Sequence, residues 1–366
     1  MLHLNAGSCI RSLSVDSECN KCEVVCSTAA IVVGDNPLPA INFADCVSCG
    51  ACHGVCPSEA LGLDDFNTTD FFFDFLEKED ENLISCKKNT PCISVLSVEY
   101  IISLAILKKE IVLDMGYCDT CEIASTCKPQ IVKKYEEATY ILEAIENNAV
   151  IKLENICYQD NDSDVIDRRG FFSAFNLKTV GKVKKSFKDE VQKASDELSE
   201  HILQKTDIVL LKKKTISERR KMFFTAIKRV EKPSQFHIVD ATEISFTSQK
   251  IMNEESCTAC QMCYRVCPTG ALTSDITNSK IDFDPFLCIK CHICQDVCEP
   301  DSITLSDSYN VKEFFEPEVQ NLITFKVRHC AECNVIFSTN NDDKMCYGCK
   351  SEDEEARELF WDRIIK

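Results

Sequence analysis

Three runs of the form C-x2-C-x2-C-x3-C constrain this chain more than any other feature: Cys257, Cys260, Cys263 and Cys267; then Cys288, Cys291, Cys294 and Cys298; and, near the start, Cys46, Cys49, Cys52 and Cys56. Pro268 and Pro57 follow two of them directly, whereas Glu299 separates Cys298 from Pro300. A fourth copy is degenerate. Cys19, Cys22 and Cys26 keep the later spacings, Asp16 stands where the first cysteine belongs, Ser27 replaces the proline, and Cys9 offers a substitute through a longer loop. Such repetition means that one small unit recurs at both ends of the chain. With 26 cysteines in 366 residues, either a secreted disulfide framework or metal ligation is required. The opening "MLHLNAGSCIRSLSVDSECNKC" has neither a basic start nor an apolar stretch with a cleavage site, so the expectation is the reducing cytoplasm and ligated sulfur.

A cubane iron–sulfur cluster needs four converging thiolates. A tight C-x2-C-x2-C turn wraps three of its irons, and the fourth cysteine of each run serves the other cluster. Zinc knuckles are the competing chemistry, but zinc sites use paired C-x2-C units and not triplets. At this point the sequence resembles the bacterial two-cluster ferredoxin family, closely over about residues 250 to 310. The resemblance implies a βαβ-repeat fold and low-potential one-electron transfer. Short strands are expected at Ala271-Leu272, Ile281 with Phe283, and Ile303 with Leu305. It also implies ligand sets. One C-terminal cluster would use Cys257, Cys260, Cys263 and Cys298, the other Cys288, Cys291, Cys294 and Cys267. In the N-terminal module Cys46, Cys49, Cys52 and Cys26 would hold one cluster. Cys9, Cys19, Cys22 and Cys56 would hold the other, with a 3Fe-4S centre or an empty site as alternatives. His53 and His292 fall inside cluster-binding turns, where they pack or tune a cluster by hydrogen bonding to sulfur.

Two further cysteine groups differ in spacing. "CAEC" (Cys330, Cys333) and "CYGC" (Cys346, Cys349) form a four-thiolate unit of zinc-ribbon type, with rubredoxin-type iron as the rival and an acidic-capped helix over the tail. Between residues 80 and 130 the pattern reads strand to Cys86, amphipathic helix from about Ser97 to Lys109, and strand to Cys118. Carboxyl ends of neighbouring parallel strands share a crevice, so Cys86 and Cys92 are expected to meet Cys118 and Cys121 there, with Cys127 as a replacement ligand. An iron–sulfur centre, zinc and free thiols all remain open. The layout resembles the small 2Fe-2S delta subunit of methyl-viologen-type hydrogenases. Cys157 is isolated and reads as a small buried hydrophobe. A helix is expected from Pro129, carrying Ile131, Tyr135, Ala138, Leu142 and Ile145 on one face.

Charge divides the chain. Net charge is −18, yet residues 162 to 250 carry 19 Lys+Arg against 13 Asp+Glu and no cysteine. The acidic balance disfavours nucleic acid. No apolar run approaches the roughly 18 residues of a membrane span, "YIISLAIL" being the longest in a helical setting, so no direct membrane insertion is expected. The expected organisation is α+β: ferredoxin modules over 1–66 and 249–312, an α/β cysteine-containing domain over 80–158, a basic helical linker over 159–248, and the zinc-ribbon-like unit over 325–366. Arg168, Arg169 and Phe172 resemble a twin-arginine signal, but they sit mid-chain and lead into lysines. In the linker, Met222, Phe223, Ala226, Ile227 and Val230 would line one helical face. The basic face, Lys212, Lys213 and Lys214 included, would dock an acidic redox partner or the chain's own acidic ends. No dinucleotide fingerprint, P-loop, HExxH or triad is found, so no catalytic residue is assigned. The expectation is an electron-transfer subunit, or polyferredoxin, with four 4Fe-4S clusters. It would relay single electrons between a partner dehydrogenase or hydrogenase of anaerobic metabolism and another acceptor. Polyferredoxin-like proteins with an internal RR-F element, which this chain resembles, accompany molybdenum or tungsten formate dehydrogenases. That makes an accessory role the first alternative, and a cluster-based redox sensor the second.

Overall fold

A computed structural model of the chain describes residues 1–156, 189–193 and 214–353. Cys157, the Arg168/Arg169/Phe172 element, Lys212, Lys213 and nearly all of the expected tail helix lie outside the described residues.

The N-terminal module is built from very short elements, because cysteine turns take up most of its length. β1 (Leu2–Leu4) is followed by α1 (Lys21–Val24), the hairpin β2 (Ile31–Val32) and β3 (Ala40–Ile41), α2 (Ala51–Val55) and β4 (Leu61–Leu63). β4 returns antiparallel to β1, pairing Leu2 with Leu63 and Leu4 with Leu61. α3 (Thr68–Glu77) leads out of the module, capped by Asn67, whose side chain accepts the amides of Thr69 and Asp70. Its Phe71, Phe72, Phe73 and Phe75 are buried.

A parallel sheet follows. β5 (Leu83–Ile84), α4 (Val98–Lys108), β6 (Glu110–Asp114), α5 (Ala124–Ala144) and β7 (Val150–Glu154) alternate, with strand order β5-β6-β7. α4 matches its expected span, but it is not amphipathic: every residue from Val98 to Ile106 is buried, Glu99 and Ser103 included. The reason is a helix on its second face, α6 (Glu218–Ile227) from the basic middle. α5 starts five residues before the expected Pro129 and so carries Cys127.

α6 buries Met222, Phe223, Ala226 and Ile227, and Phe223 meets Phe246 and Phe314 edge-on at 5.4 and 5.1 Å. Beyond it comes β8 (Ile238–Asp240), inside the stretch expected to be linker. The C-terminal module then repeats the plan of the first: β9 (Lys250–Met252), α7 (Met262–Arg265), hairpin β10 (Leu272–Thr273) and β11 (Lys280–Phe283), α8 (Ile293–Asp296), and β12 (Ile303–Leu305) antiparallel to β9. The sheets extend past both expected edges. β13 (Ser308–Asn310) pairs with β8, and after α9 (Lys312–Phe315), β14 (Gln320–Thr324) adds to β11. The final hairpin, β15 (Lys326–His329) with β16 (Ile336–Thr339), carries Cys330 and Cys333 in its turn, and Cys346 and Cys349 follow it.

The two modules touch. Ile10 of the first packs with Ile289, Ile293 and Val297 of the second, with Cys19 and Cys291 against this patch. The Glu18 amide donates to Asp296 at 3.0 Å, and Lys21 Nζ to the Lys290 carbonyl at 3.1 Å. Among the described residues, no helix is long and apolar enough to cross a membrane.

Candidate metal centres

Backbone conformation explains why the runs wrap. In all three regular runs the residues on either side of the middle cysteine are left-handed: Ala259 and Gln261 (φ 55° and 71°), Lys290 and His292 (46° and 69°), Ser48 and Gly50 (52° and 76°). Left-handed geometry costs a non-glycine residue on the order of 1 kcal/mol or more, so the five non-glycine positions among these six imply a demand from outside the backbone. A second left-handed residue lies three positions after each fourth cysteine: Ala29, Glu59, Gly270 and Asp301. There the chain turns back and aims amides at sulfur. Ala60 N–H points to Cys56 Sγ at 3.3 Å, Leu272 N–H to Cys267 Sγ at 3.5 Å, and Ser302 N–H to Cys298 Sγ at 3.2 Å. Amides so placed stabilise thiolate over thiol.

The folded chain gathers the cysteines as follows. Cys267, Cys288, Cys291 and Cys294 line one cavity. Cys9, Cys19, Cys22 and Cys56 line another. Burial first, and the charge of Cys56, Cys19 and Cys9 second, push the Cys22 thiol up to about 12; burial takes Cys294 to about 12 as well, against the pull of Lys250. Cys263 is raised likewise by burial and then by Cys294, Cys260, Cys257 and Cys298, which places those sulfurs around it. Cys52 is raised by burial, then by Cys49, Cys22 and Cys46. Cys26 packs on the same core, its sulfur 3.8 Å from Thr28 Oγ1. Thiols that resist ionisation this strongly in each other's company suit a cationic core that displaces their protons. Lys250 supplies a second test of fit. It is 4% exposed beside Cys267, Cys288, Cys291 and Cys294. Although burial acts to lower its pKa, the nearby sulfurs hold it above the usual lysine range. A buried ammonium calls for an anionic neighbour, which a thiolate-ligated cluster supplies.

Cys118 lies at the end of the parallel sheet. Burial, then Cys92, Cys86 and Cys121, push it up to about 12, so the four cysteines expected at the strand ends converge. Lys134 of α5 fixes the turn that carries Cys92, donating to the carbonyls of Ser94 and Leu96 at 2.7 and 2.8 Å. Cys127 sits between two sites. Its thiol hydrogen-bonds the sulfurs of Cys49 and Cys92, which holds it far above the ordinary range.

The last four cysteines are gathered differently. The ligand sulfurs of Cys330, Cys333, Cys346 and Cys349 all lie within 4.8 Å of one another, with Cys333 and Cys346 3.8 Å apart. Tetrahedral thiolates at about 2.3 Å from one ion stand about 3.8 Å from each other. Amides of Cys333 and Cys346 bring the Cys330 thiol down to about 6.

His53 and His292 do not reach sulfur. His53 Nδ1–H donates to the Leu61 carbonyl at 2.5 Å while Nε2 accepts from Thr68, and His292 bonds Gln295 at 3.0 Å. The arginines of α6 were not foreseen as part of any site. Arg219 Nε donates to Glu59 at 3.1 Å and its Nη2 to the His53 carbonyl at 3.2 Å. Arg220, 1% exposed, donates to the carbonyls of Phe286, Phe246 and Cys288, and its Nε lies 3.0 Å from Glu99. Of the two docking targets expected for the basic segment, α6 thus occupies the chain's own modules.

Comparison with known proteins agrees with this geometry. Residues 249–299 match the 4Fe-4S dicluster domain family, and residues 39–62 match the 4Fe-4S binding domain family. Those two stretches are thus 4Fe-4S domains of ferredoxin type. The chain is similar to the pyruvate synthase subunit PorD of Methanocaldococcus jannaschii, 41% identical over 59 residues, a match that takes 16% of this chain and spans 66% of that relative. No solved structure matches.

Proposed function

We propose that the chain is a multi-cluster electron relay that passes single electrons between a partner oxidoreductase and another acceptor. One observation carries the reading: the cysteine sites form an unbroken series. Cys263 of the outer C-terminal set neighbours Cys294 of the inner set. Cys291 and Cys19 pack on the same apolar patch between modules. Cys22 neighbours Cys52. Cys127 links Cys49 to Cys92.

In this reading four cubanes occupy the sets Cys257/Cys260/Cys263/Cys298, Cys267/Cys288/Cys291/Cys294, Cys9/Cys19/Cys22/Cys56 and Cys26/Cys46/Cys49/Cys52. Bound there, each cluster supplies reversible one-electron chemistry. The protein excludes water, aims amides at sulfur and holds neighbouring sites in contact. Cys86, Cys92, Cys118 and Cys121 hold a further iron–sulfur centre or a zinc at one end. At the other, Cys330, Cys333, Cys346 and Cys349 hold one structural zinc, in keeping with the 3.8 Å sulfur spacing. The similarity to a pyruvate synthase subunit supports an oxidoreductase as the partner.

Anaerobic iron and acid-labile sulfide analysis tests the reading. About sixteen irons are expected from four cubanes, more if the Cys86 site is also iron-bearing, together with one zinc and EPR signals after dithionite. Colourless, iron-free protein would end it.

A further inference from the structure

We propose that the cluster held by Cys267, Cys288, Cys291 and Cys294 has the highest reduction potential of the four cubanes and traps electrons midway, because the Lys250 ammonium is buried against it. This deepens the relay reading and rests on it.

Lys250 opens β9, where it pairs with Leu305 across the sheet and reaches the cavity of those four sulfurs. At the same register of the N-terminal module, opposite Leu63, stands Leu2. The two modules share a strand plan, so a charge has taken the place of an apolar side chain at one of them only. The groups that hold the Lys250 side chain in its charged form against burial are the sulfurs of Cys288, Cys294 and Cys291. Stranding such a charge is unfavourable, which the anionic cluster offsets. Reduction adds one negative charge to that cluster. With water excluded, the attraction to the ammonium grows, and the reduced state is favoured.

Two neighbours act in the same direction. Arg220 Nη2 donates to the Cys288 carbonyl at 2.9 Å, with part of its charge answered by Glu99. Ser248 Oγ, fully buried, lies 3.3 Å from Cys288 Sγ. The other sites are less favoured. Lys214 is the cation nearest the outer C-terminal set, and it acts more strongly on Cys267 of the inner set than on Cys263 of the outer one. Lys21 and Arg11 line the Cys9/Cys19/Cys22/Cys56 cavity, but both are half-exposed, so solvent screens them. Electrons entering from either end therefore settle on the inner C-terminal cluster, next to the module junction.

Potentiometric titration of the full anaerobic protein, read cluster by cluster by EPR, tests this. Cys291→Ser identifies the signal. Lys250→Met is expected to lower that one midpoint until the reduced-to-oxidised ratio at the original midpoint falls at least tenfold, about 59 mV for one electron. Lys250→Arg is expected to retain it. An unmoved midpoint with unchanged iron content overturns the proposal, as does a wild-type midpoint below those of the other cubanes. Should Lys250→Met shed the cluster, Ser248→Ala decides: the same midpoint must fall by a smaller step, and no shift overturns it. Wild-type protein without cluster signals would instead mean that the relay reading itself had failed.

Discussion

The two ferredoxin-type modules share a strand plan and differ in how their cysteines reach the cavity. In the C-terminal module both runs are regular, and each carries its pair of left-handed residues around the middle cysteine. In the N-terminal module only the second run does. The first run has no left-handed pair beside Cys19, the equivalent middle cysteine, yet it keeps the one after its last cysteine, at Ala29. Cys9 arrives from a different direction, between the short 3-10 turns Ala6–Ser8 and Ile10–Ser12, and still lines the cavity with Cys19, Cys22 and Cys56. A cluster requires sulfurs at the right points in space and is indifferent to the path the chain takes to them.

Removing ligands tests this equivalence with the largest effect. Cys263→Ala is expected to lower iron by about four of the sixteen expected for four cubanes. Cys9→Ala is expected to lower it by at least one; unchanged iron would show that the irregular module holds one cluster fewer. A smaller effect concerns what joins the modules. Arg220→Met leaves buried Glu99 only Arg219, 3.9 Å away, and is expected to cost about 3 kcal/mol in chemical denaturation, part of it recovered when Glu99→Leu is added. A cost under 1 kcal/mol, measured on the holo protein, would mean that α6 is not what holds the halves together.

The last effect is a pH dependence at the contact between the α/β unit and the C-terminal half. Glu137 of α5 accepts the Ser245 amide at 2.6 Å, and burial raises its pKa to about 7. Its folded-state pKa lies above the ordinary glutamate value of 4.5, so its contribution is complete below pH 4.5 and is lost as pH rises to about 7. Glu137→Gln should flatten the stability profile over that window, by about 3 kcal/mol. A slope that survives the substitution would place the titration elsewhere.

Much of the fold was legible because cysteine spacing carries it. The short strands near Leu272, Ile281 and Ile303 fall where the sequence predicts them, since alternation and turn residues are local signals. The misses are non-local. α4 looked amphipathic because Glu99 and Ser103 are polar, and nothing within α4 announces arginines on a helix more than a hundred residues away. Pro129 looked like a helix start because proline suits a first turn. The helix begins earlier, and this puts Cys127 between two cysteine sites. Lys250 passed unnoticed as one lysine among many, although comparing it with Leu2 across the internal repeat would have singled it out. β8 and β14 pair with partners far along the chain, which leaves no mark on their own few residues.

The position of α6 in the chain has a consequence for biosynthesis. As the polypeptide leaves the ribosome, Glu59 and Glu99 emerge long before Arg219 and Arg220, the cations that answer them. Until those arginines appear, the nascent first half carries an acidic, unsealed flank. Metallocentre loading there has a natural interval before the door shuts.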